Sequence, residues 1–551
     1  MIRTVSNVVR TVAVIGAGPS GLTSIKSCLD EGLEPTCYES GPDIGGLWRF
    51  KEEPESGRAN IYKSVVINSS KEMMTYSDFP PPAHFPNNMH HSEVLDYLRL
   101  YARSFDLLQR IRFKTTVVGV RPTPDFAATG GWEVETEKCD GQRESHLFDA
   151  VMVCTGHYTT PNLPLKDFPG IESFEGKYFH SWEYRCAEGL QGKRVVVVGM
   201  GNSGADIAVD ISRVAEKVYL STRSGAWVVG RVGPGGLPRD LFGKSRLDAL
   251  KRKLFPSWVD EMMVKNLNQF FDHSLYGIRP KHGFFFQVPV VNDDLPARII
   301  SGRVRIKPNL KRFDASDAIF DDGTVVHKVD VVVFATGYDY NFPFLPSDLQ
   351  GKCGPGHLHR LYRHVFALGL APPTLAVIGL IDGFAPVNCV AELQARWATR
   401  VFKGLISLPS QEAMMEDIKK ERTTLSKCFI NSEIVLQLDP IPYMDSLAVD
   451  MGVRPNVLRL FLSDPKLAWQ VLLGPCNPYQ YRLIGPGKWD GARRAILTQW
   501  ERVHHPFRSQ RAEPGPQTRM SYGLIWLLSG SAILTFCFYK NFHPHLYTFF
   551  S

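Results

Sequence analysis

With 551 residues, 44% of them hydrophobic and 22% charged, the sequence is too long for one domain and too apolar to be disordered. The net charge of +7 is mild and no dense Lys/Arg tract with interleaved aromatics occurs, which excludes a nucleic-acid-binding class; the charge suits an anionic cofactor or membrane surface. The ten cysteines are scattered without a C-x-x-C pair, so neither a zinc site nor a redox disulfide is signalled, no metal is expected, and the compartment reads as reducing.

Met1 to Arg10 has no apolar h-region and reads as a short disordered leader. A buried strand then ends in Gly16-Ala17-Gly18-Pro19-Ser20-Gly21. Gly16 permits the tight turn, Gly18 lets backbone approach a pyrophosphate, and Gly21 lets a helix pack close to the strand. That helix, expected from Pro19 to about Glu31, aims its free N–H groups and positive dipole end at phosphates. A second strand, Pro35-Thr36-Cys37-Tyr38, ends at Glu39, an acid at the spacing that holds a ribose hydroxyl pair. Next comes a Gly-rich connection carrying Gly45, Gly46, Leu47 and Trp48, where backbone again comes close to a ligand. Ser92 to Ser104 has helical periodicity with an N-cap serine, and residues 112–137 alternate as strands.

The buried strand at 148–153 ends in Thr155-Gly156 after Cys154, and it has a twin at 329–335 ending in Thr336-Gly337. Between the twins lies a second fingerprint, Gly199-Met200-Gly201-Asn202-Ser203-Gly204, after the strand 193–198 and before a helix expected near Ala205. Two such units are far more specific than one. They differ after the second strand, which here ends in Ser221-Thr222-Arg223 instead of an acid. An acid accepts from ribose hydroxyls and repels a 2′-phosphate; an arginine fork binds that phosphate. The first site therefore suits FAD or NAD and the second NADP.

Residues 224–302 read as an insertion, Gly/Pro-rich early, then helical and aromatic, with Phe270, Phe271, Phe284, Phe285 and Phe286 expected to pack within it or, as the alternative, to line a substrate or membrane-facing surface. Strands resume over 303–328, Thr374 to Leu380 is another buried strand, and Glu392 to Trp397 opens a helix packing back on the first domain. Tyr522 to Tyr539 is apolar and uncharged, 18 residues that at ~1.5 Å rise approach the ~30 Å hydrocarbon thickness. Arg508, Arg511 and Arg519 before it outweigh Lys540 after it, which places the body on the cytosolic side of a membrane anchor.

The fold expected is α/β: two dinucleotide-binding Rossmann-like domains, the NADPH domain inserted into the FAD domain, plus a C-terminal transmembrane helix. The boundaries are 1–160 for the first part of the FAD domain, 161–330 for the NADPH domain with its insertion at about 224–302, 331–450 for the second part of the FAD domain, 451–520 for a helical segment and linker, and 521–540 for the anchor. Two nucleotide sites imply hydride passing from NADPH to a flavin. With no redox cysteine pair and no G-x-S-x-G elbow, what remains is a reductase passing electrons on or a monooxygenase.

Phe174-Glu175-Gly176-Lys177-Tyr178-Phe179-His180-Ser181-Trp182-Glu183-Tyr184 matches F-x-G-x-x-x-H-x-x-x-[YF] just before the second fingerprint. With 61–74, 154–158, 334–338, 392–397 and 485–493, it resembles the flavin-containing monooxygenases over nearly the whole chain, in the dimethylaniline monooxygenase, N-oxide-forming type. That resemblance implies an NADPH- and O2-dependent monooxygenase of tertiary amines and sulfides, acting through a C4a-hydroperoxyflavin that bound NADP+ shields. It implies small lipophilic substrates, an endoplasmic reticulum membrane location, a possible homo-oligomer, and Asn68 beside flavin and nicotinamide, with Gln394 near the cofactors. His180 and Tyr184 would shape the linker between domains. Pro280 to His282 and Arg298 to Gly302 resemble the branch that oxidises ketones by Baeyer–Villiger chemistry, whereas Asn477 to Tyr481 resembles the amine and sulfide branches. Ketone oxygenation and leaky release of H2O2 stay open as alternatives.

Overall fold

The computed structural model describes residues 9–339, 341–347, 349–350, 361–383, 386–428 and 437–508. The chain to Val503 forms one compact unit; the described part of the unit beginning at His504 contains one short 3-10 turn, His505–Phe507.

Strand β1 (Thr11–Ile15) leads through Gly16 into helix α1 (Pro19–Asp30) and back along β2 (Glu34–Glu39), parallel to β1, with Ile15 beside Tyr38. β1 is apolar on both faces because both are covered. Val12 and Val14 join one core cluster with Leu22, Ile25 and Trp397; Ala13 and Ile15 join another with Tyr38, Val151 and Val153. The seven-stranded sheet runs 361–362, 366–367, 375–377, 150–153, β1, β2, 111–113. Its last three strands in the chain arrive only after the second sheet has been built.

The second sheet repeats the plan. β3 (Arg194–Val198) passes through Gly199 into α2 (Asn202–Ile211) and returns as β4 (Lys217–Ser221). Five parallel strands run 304–307, β4, β3, 331–334, 177–180. The outgoing and returning crossings pair with each other, Thr160–Pro161 antiparallel to Tyr338–Asp339. Thr336 Oγ1 donates to the Asn162 carbonyl (2.5 Å) and the Asn162 N–H to the Gly337 carbonyl (3.0 Å). These bonds fix where the two sheets meet.

The insertion supplies α3 (Arg246–Leu254), closed by a Ser245–Asp248 capping box, and α4 (Pro256–Asn268). α5 (Val387–Phe402) packs along α1 and is buried along nearly its whole length, so Glu392 to Trp397 lies mid-helix instead of opening it. Three further boundaries depart from expectation. α1 ends at Asp30, α2 starts at Asn202, and the helix His91–Ser104 is capped by His90, not Ser92: the His90 ring accepts from the Ser92 N–H, and the Glu93 carboxylate accepts from the His90 N–H (2.8 Å). Among the described residues no helix is long and apolar enough to cross a membrane. The expected anchor at 521–540 lies outside the described residues.

Candidate active site

The two glycine turns are near-copies. Gly16 has φ 100° and Gly199 φ 105°, the left-handed region that side chains avoid. A Cβ on Gly21 would stand 1.8 Å from the Gly16 carbonyl oxygen, and one on Gly204 would stand 2.0 Å from that of Gly199. The third glycine of each motif therefore lets helix cross strand. Gly18 and Gly201 are the N-caps, and neither helix has a side chain capping its first turn, so the N–H groups there are left for an anion. Around Gly201 no atom lies within 4 Å of where a Cβ would stand.

A cavity of about 2370 Å³ opens in front of the first turn. That exceeds the ~300–1,000 Å³ of a single-ligand pocket. Of the residues expected at the site, Gly16, Gly18, Pro19, Ser20, Glu39, Gly46, Leu47, Trp48, Asn68 and Asn202 line it. Gly46 adopts φ 53° with its Cα against Gly18, so two glycine backbones make one wall. Glu39 is buried at the foot of the turn. Its Oε2 accepts from the Ala17 N–H (2.9 Å), and its Oε1 accepts from the Gly41 N–H (2.6 Å) and from Arg58 Nη2 (2.6 Å). A carboxylate has about four lone-pair sites, so one acceptor direction is left for a hydroxyl.

The remaining expected residues lie outside the cavity wall. Gly21, Gly199 and Gly204 act through backbone clearance, and Gly201 and Ser203 belong to the second turn. Thr222 Oγ1 accepts from the Gly225 N–H (3.0 Å), and beside it Arg223 is exposed with no ion pair among the described residues. The Thr336 hydroxyl and the Gly337 carbonyl are engaged by the crossings. Gln394 is fully buried; its Oε1 accepts from the Gly379 N–H (2.8 Å) and its Nε2 donates to Tyr443 OH (2.7 Å). It acts one step back, by holding Gly379 in the wall.

His180 ends the edge strand of the second sheet, and its Nδ1 accepts from the Trp182 N–H (3.0 Å); burial pushes its pKa down to about 4. Tyr184 OH donates to Asp210 Oδ2 (2.7 Å) on α2. Both also face the connection between the sheets, as expected: the His180 ring packs on Tyr338 of the returning crossing (5.2 Å between ring centres) and the Tyr184 ring on Tyr62 (5.9 Å). Gly176 of the same motif is required because a Cβ would stand 2.6 Å from the Asp330 carbonyl. The insertion's phenylalanines do more than pack together: Phe270, Phe271, Phe284, Phe285 and Phe286 all line the cavity. None of Pro280 to His282, Arg298 to Gly302 or Asn477 to Tyr481 is among the residues that line it.

Sequence reasoning missed Arg58 and Arg231. Arg58 occupies Glu39, and Arg231 Nη2 donates to Asn68 Oδ1 (2.8 Å). Neither sits in a spacing motif, since both partners are distant in the chain. It also missed that Glu392 Oε1 pairs with Arg482 (2.9 Å) and that Arg482 pairs with Asp78 (2.9 Å), an ion network beneath the site.

A family model described as flavin-binding monooxygenase-like matches residues 9–540. The chain belongs to that family. It is 53% identical to human "Flavin-containing monooxygenase 5", over 92% of this chain and 94% of that protein. It is 48% identical to "Dimethylaniline monooxygenase [N-oxide-forming] 2" of Cavia porcellus, over 93% and 96%. Among solved structures, S-allyl-L-cysteine S-oxygenase from Allium sativum superposes with a TM-score of 0.62 at 26% identity, over 89% of this chain and 99% of that one. The protein is thus a flavoprotein monooxygenase. The residues present fit a flavin dinucleotide: an uncapped helix start, two glycine backbones facing each other, and a buried acid with one acceptor direction open.

Proposed function

We propose that this monooxygenase uses NADPH and O2 to oxygenate soft nucleophiles, tertiary amines to N-oxides and sulfides to S-oxides. When bound, FAD supplies the hydride acceptor and the dioxygen chemistry, and NADPH supplies the hydride. The chain's part is to bind, orient and exclude water. The α1 start would take the FAD pyrophosphate and Glu39 its ribose hydroxyls; the α2 start would take the NADP pyrophosphate, and Arg223, exposed and unpaired among the described residues, the 2′-phosphate. Asn68 would offer its amide N–H2 to bound NADP+. The apolar wall of Met263, Leu267, Phe270, Phe271 and Phe284 to Phe286 would admit small lipophilic molecules and keep water out. No acid or base need touch a sulfide or a neutral amine, whose own lone pair is the nucleophile.

The observation that carries this reading is one cavity lined both by Asn68, in a loop of the first part of the chain, and by Asn202, at the start of α2 beside the second sheet. The apolar segment 521–540 would anchor the chain in the endoplasmic reticulum membrane with the body in the cytosol; its length and basic flank support this. The deciding measurement gives the flavin-loaded protein NADPH, O2 and, separately, a sulfide, a tertiary amine and a ketone, with products identified by mass. S-oxide and N-oxide are expected. Ester alone from the ketone, or H2O2 alone from all three, defeats the reading.

A further inference from the structure

Three consecutive residues, Val291, Asn292 and Asp293, strap the insertion onto α2. The Val291 N–H donates to Asn202 Oδ1 (2.8 Å) at the helix start. Asn292 Nδ2 donates to Asp206 Oδ1 (2.6 Å), whose other oxygen accepts from Tyr62 OH (2.7 Å). Asp293 Oδ1 accepts from the Arg231 N–H (2.7 Å), and Oδ2 pairs with Arg231 Nη1 (3.0 Å). Gly230 makes room for that carboxylate, since a Cβ there would stand 2.9 Å from Asp293 Oδ1. The opposite edge of the guanidinium then donates from Nη2 to Asn68 Oδ1 (2.8 Å) and to the Val66 carbonyl (3.3 Å).

A guanidinium has only donors, so the atom it faces on Asn68 has to be the carbonyl oxygen. The Asn68 N–H2 is thereby turned away from Arg231, and it has no partner among the described residues. Arg231 is itself held: its side chain is 13% exposed, and its fork is fixed on one edge by a carboxylate. A planar fork serves both sides in a fixed geometry; a lysine ammonium, a compact charge with rotatable donors on a flexible stem, would not fix that geometry.

We propose that Arg231, braced by Asp293, is a positioning residue that fixes the orientation of the Asn68 carboxamide, and that the strap 291–293 ties this orientation to the second nucleotide turn. This rests on the role given above to Asn68. It makes the amide N–H2 available in one direction before any ligand binds, at no ordering cost on binding. It also links Asn202, at the second turn, to Asn68, on the first sheet's side, through two residues of one short segment, Val291 and Asp293, and one arginine.

The test uses the full-length, flavin-loaded protein as Asn68→Ala, Arg231→Lys, Asp293→Asn and the double variant Asn68→Ala/Arg231→Lys. NADP+ affinity of the oxidised protein is measured by calorimetric titration, and product formed per NADPH consumed is measured with a sulfide. Arg231→Lys is expected to weaken NADP+ and lower the product ratio several-fold, as Asn68→Ala does, with flavin content and melting temperature unchanged. Asp293→Asn, which keeps Arg231 in place, is expected to shift both readouts in the same direction by less. The double variant is expected to be no worse than Asn68→Ala alone. Wild-type values in Arg231→Lys, or losses that multiply in the double variant, overturn the proposal. The titration needs no turnover, so a wild-type protein that makes no oxygenated product would sink the oxygenation reading while the binding cycle still decides this one.

Discussion

Arg482 carries a charge into the interior and is surrounded by acceptors that justify it. Its Nη2 pairs with both Asp78 and Glu392 (2.9 Å each), its Nε donates to Ser77 Oγ (2.6 Å), and its Nη1 donates to the Gly487 carbonyl (2.9 Å). Lys26 of α1 closes on the same Asp78 (2.9 Å). Arg482→Met would leave two buried carboxylates short of a cation, and we expect a loss of about 3–5 kcal/mol in unfolding free energy, measured in denaturant. A loss within the range of an exposed pair, below about 1 kcal/mol, would show that water reaches these carboxylates. Arg223 is the contrasting case, an exposed side chain with no ion pair among the described residues. Arg223→Ala should weaken NADPH by about 1–3 kcal/mol in kcat/KM and leave NADH nearly unchanged; equal losses with both coenzymes would remove the 2′-phosphate from its role.

At the scale of elements, the two strand–turn–helix units are near-copies, and their third glycines are the most exacting positions in them. Gly21→Ala and Gly204→Ala each put a methyl within 2.0 Å of a carbonyl oxygen, so helix and strand must separate. We expect about 1–3 kcal/mol of destabilisation for each, with different readouts. Gly21→Ala should elute from gel filtration with less flavin, and Gly204→Ala should keep its flavin but lose NADP+ in titration. The reverse pattern would exchange the assignments of the two turns. These turns were legible because every constraint on them is local: a strand, three glycines and a helix within about ten residues. The insertion was not legible in the same way. Its phenylalanines have no periodicity that separates a cavity wall from a packed core, and Arg231 meets Asp293 across 62 positions. Asn68 was legible only through resemblance, since a lone exposed asparagine carries no signal of its own. Gln394 was legible as important but its hold on Gly379 was not, because a buried amide serves wall and ligand equally well.

Across the whole molecule, buried neutral histidines set an acid limit. Burial pushes His157, His180 and His273 down to about 4 from an ordinary 6.5. For two of them the hydrogen bonds fix the neutral form. His180 Nδ1 accepts from the Trp182 N–H, and His273 Nε2 accepts from the Val228 N–H (3.1 Å) while Nδ1 faces Asn268 Oδ1 (2.8 Å). Protonation would turn each acceptor into a donor facing a donor. A depressed histidine pKa gives stability that is fully present above the unfolded value near 6.5 and is lost as pH falls toward 4, at most about 3 kcal/mol per residue. These side chains are spread over the first sheet's Thr-Gly segment, the edge of the second sheet and the insertion, so the loss is global. The carboxyls of Asp206 and Asp240, which burial raises, act with the opposite sign and partly offset it. Melting temperature should therefore hold from pH 8 to about 6.5 and fall steeply below. His273→Gln, whose amide can still accept from Val228, should flatten that fall while costing little at pH 7.5. An unchanged acid limb in His273→Gln would show that this ring takes up its proton as readily in the folded protein as in the unfolded chain, and that its hydrogen-bond pattern is not the one described.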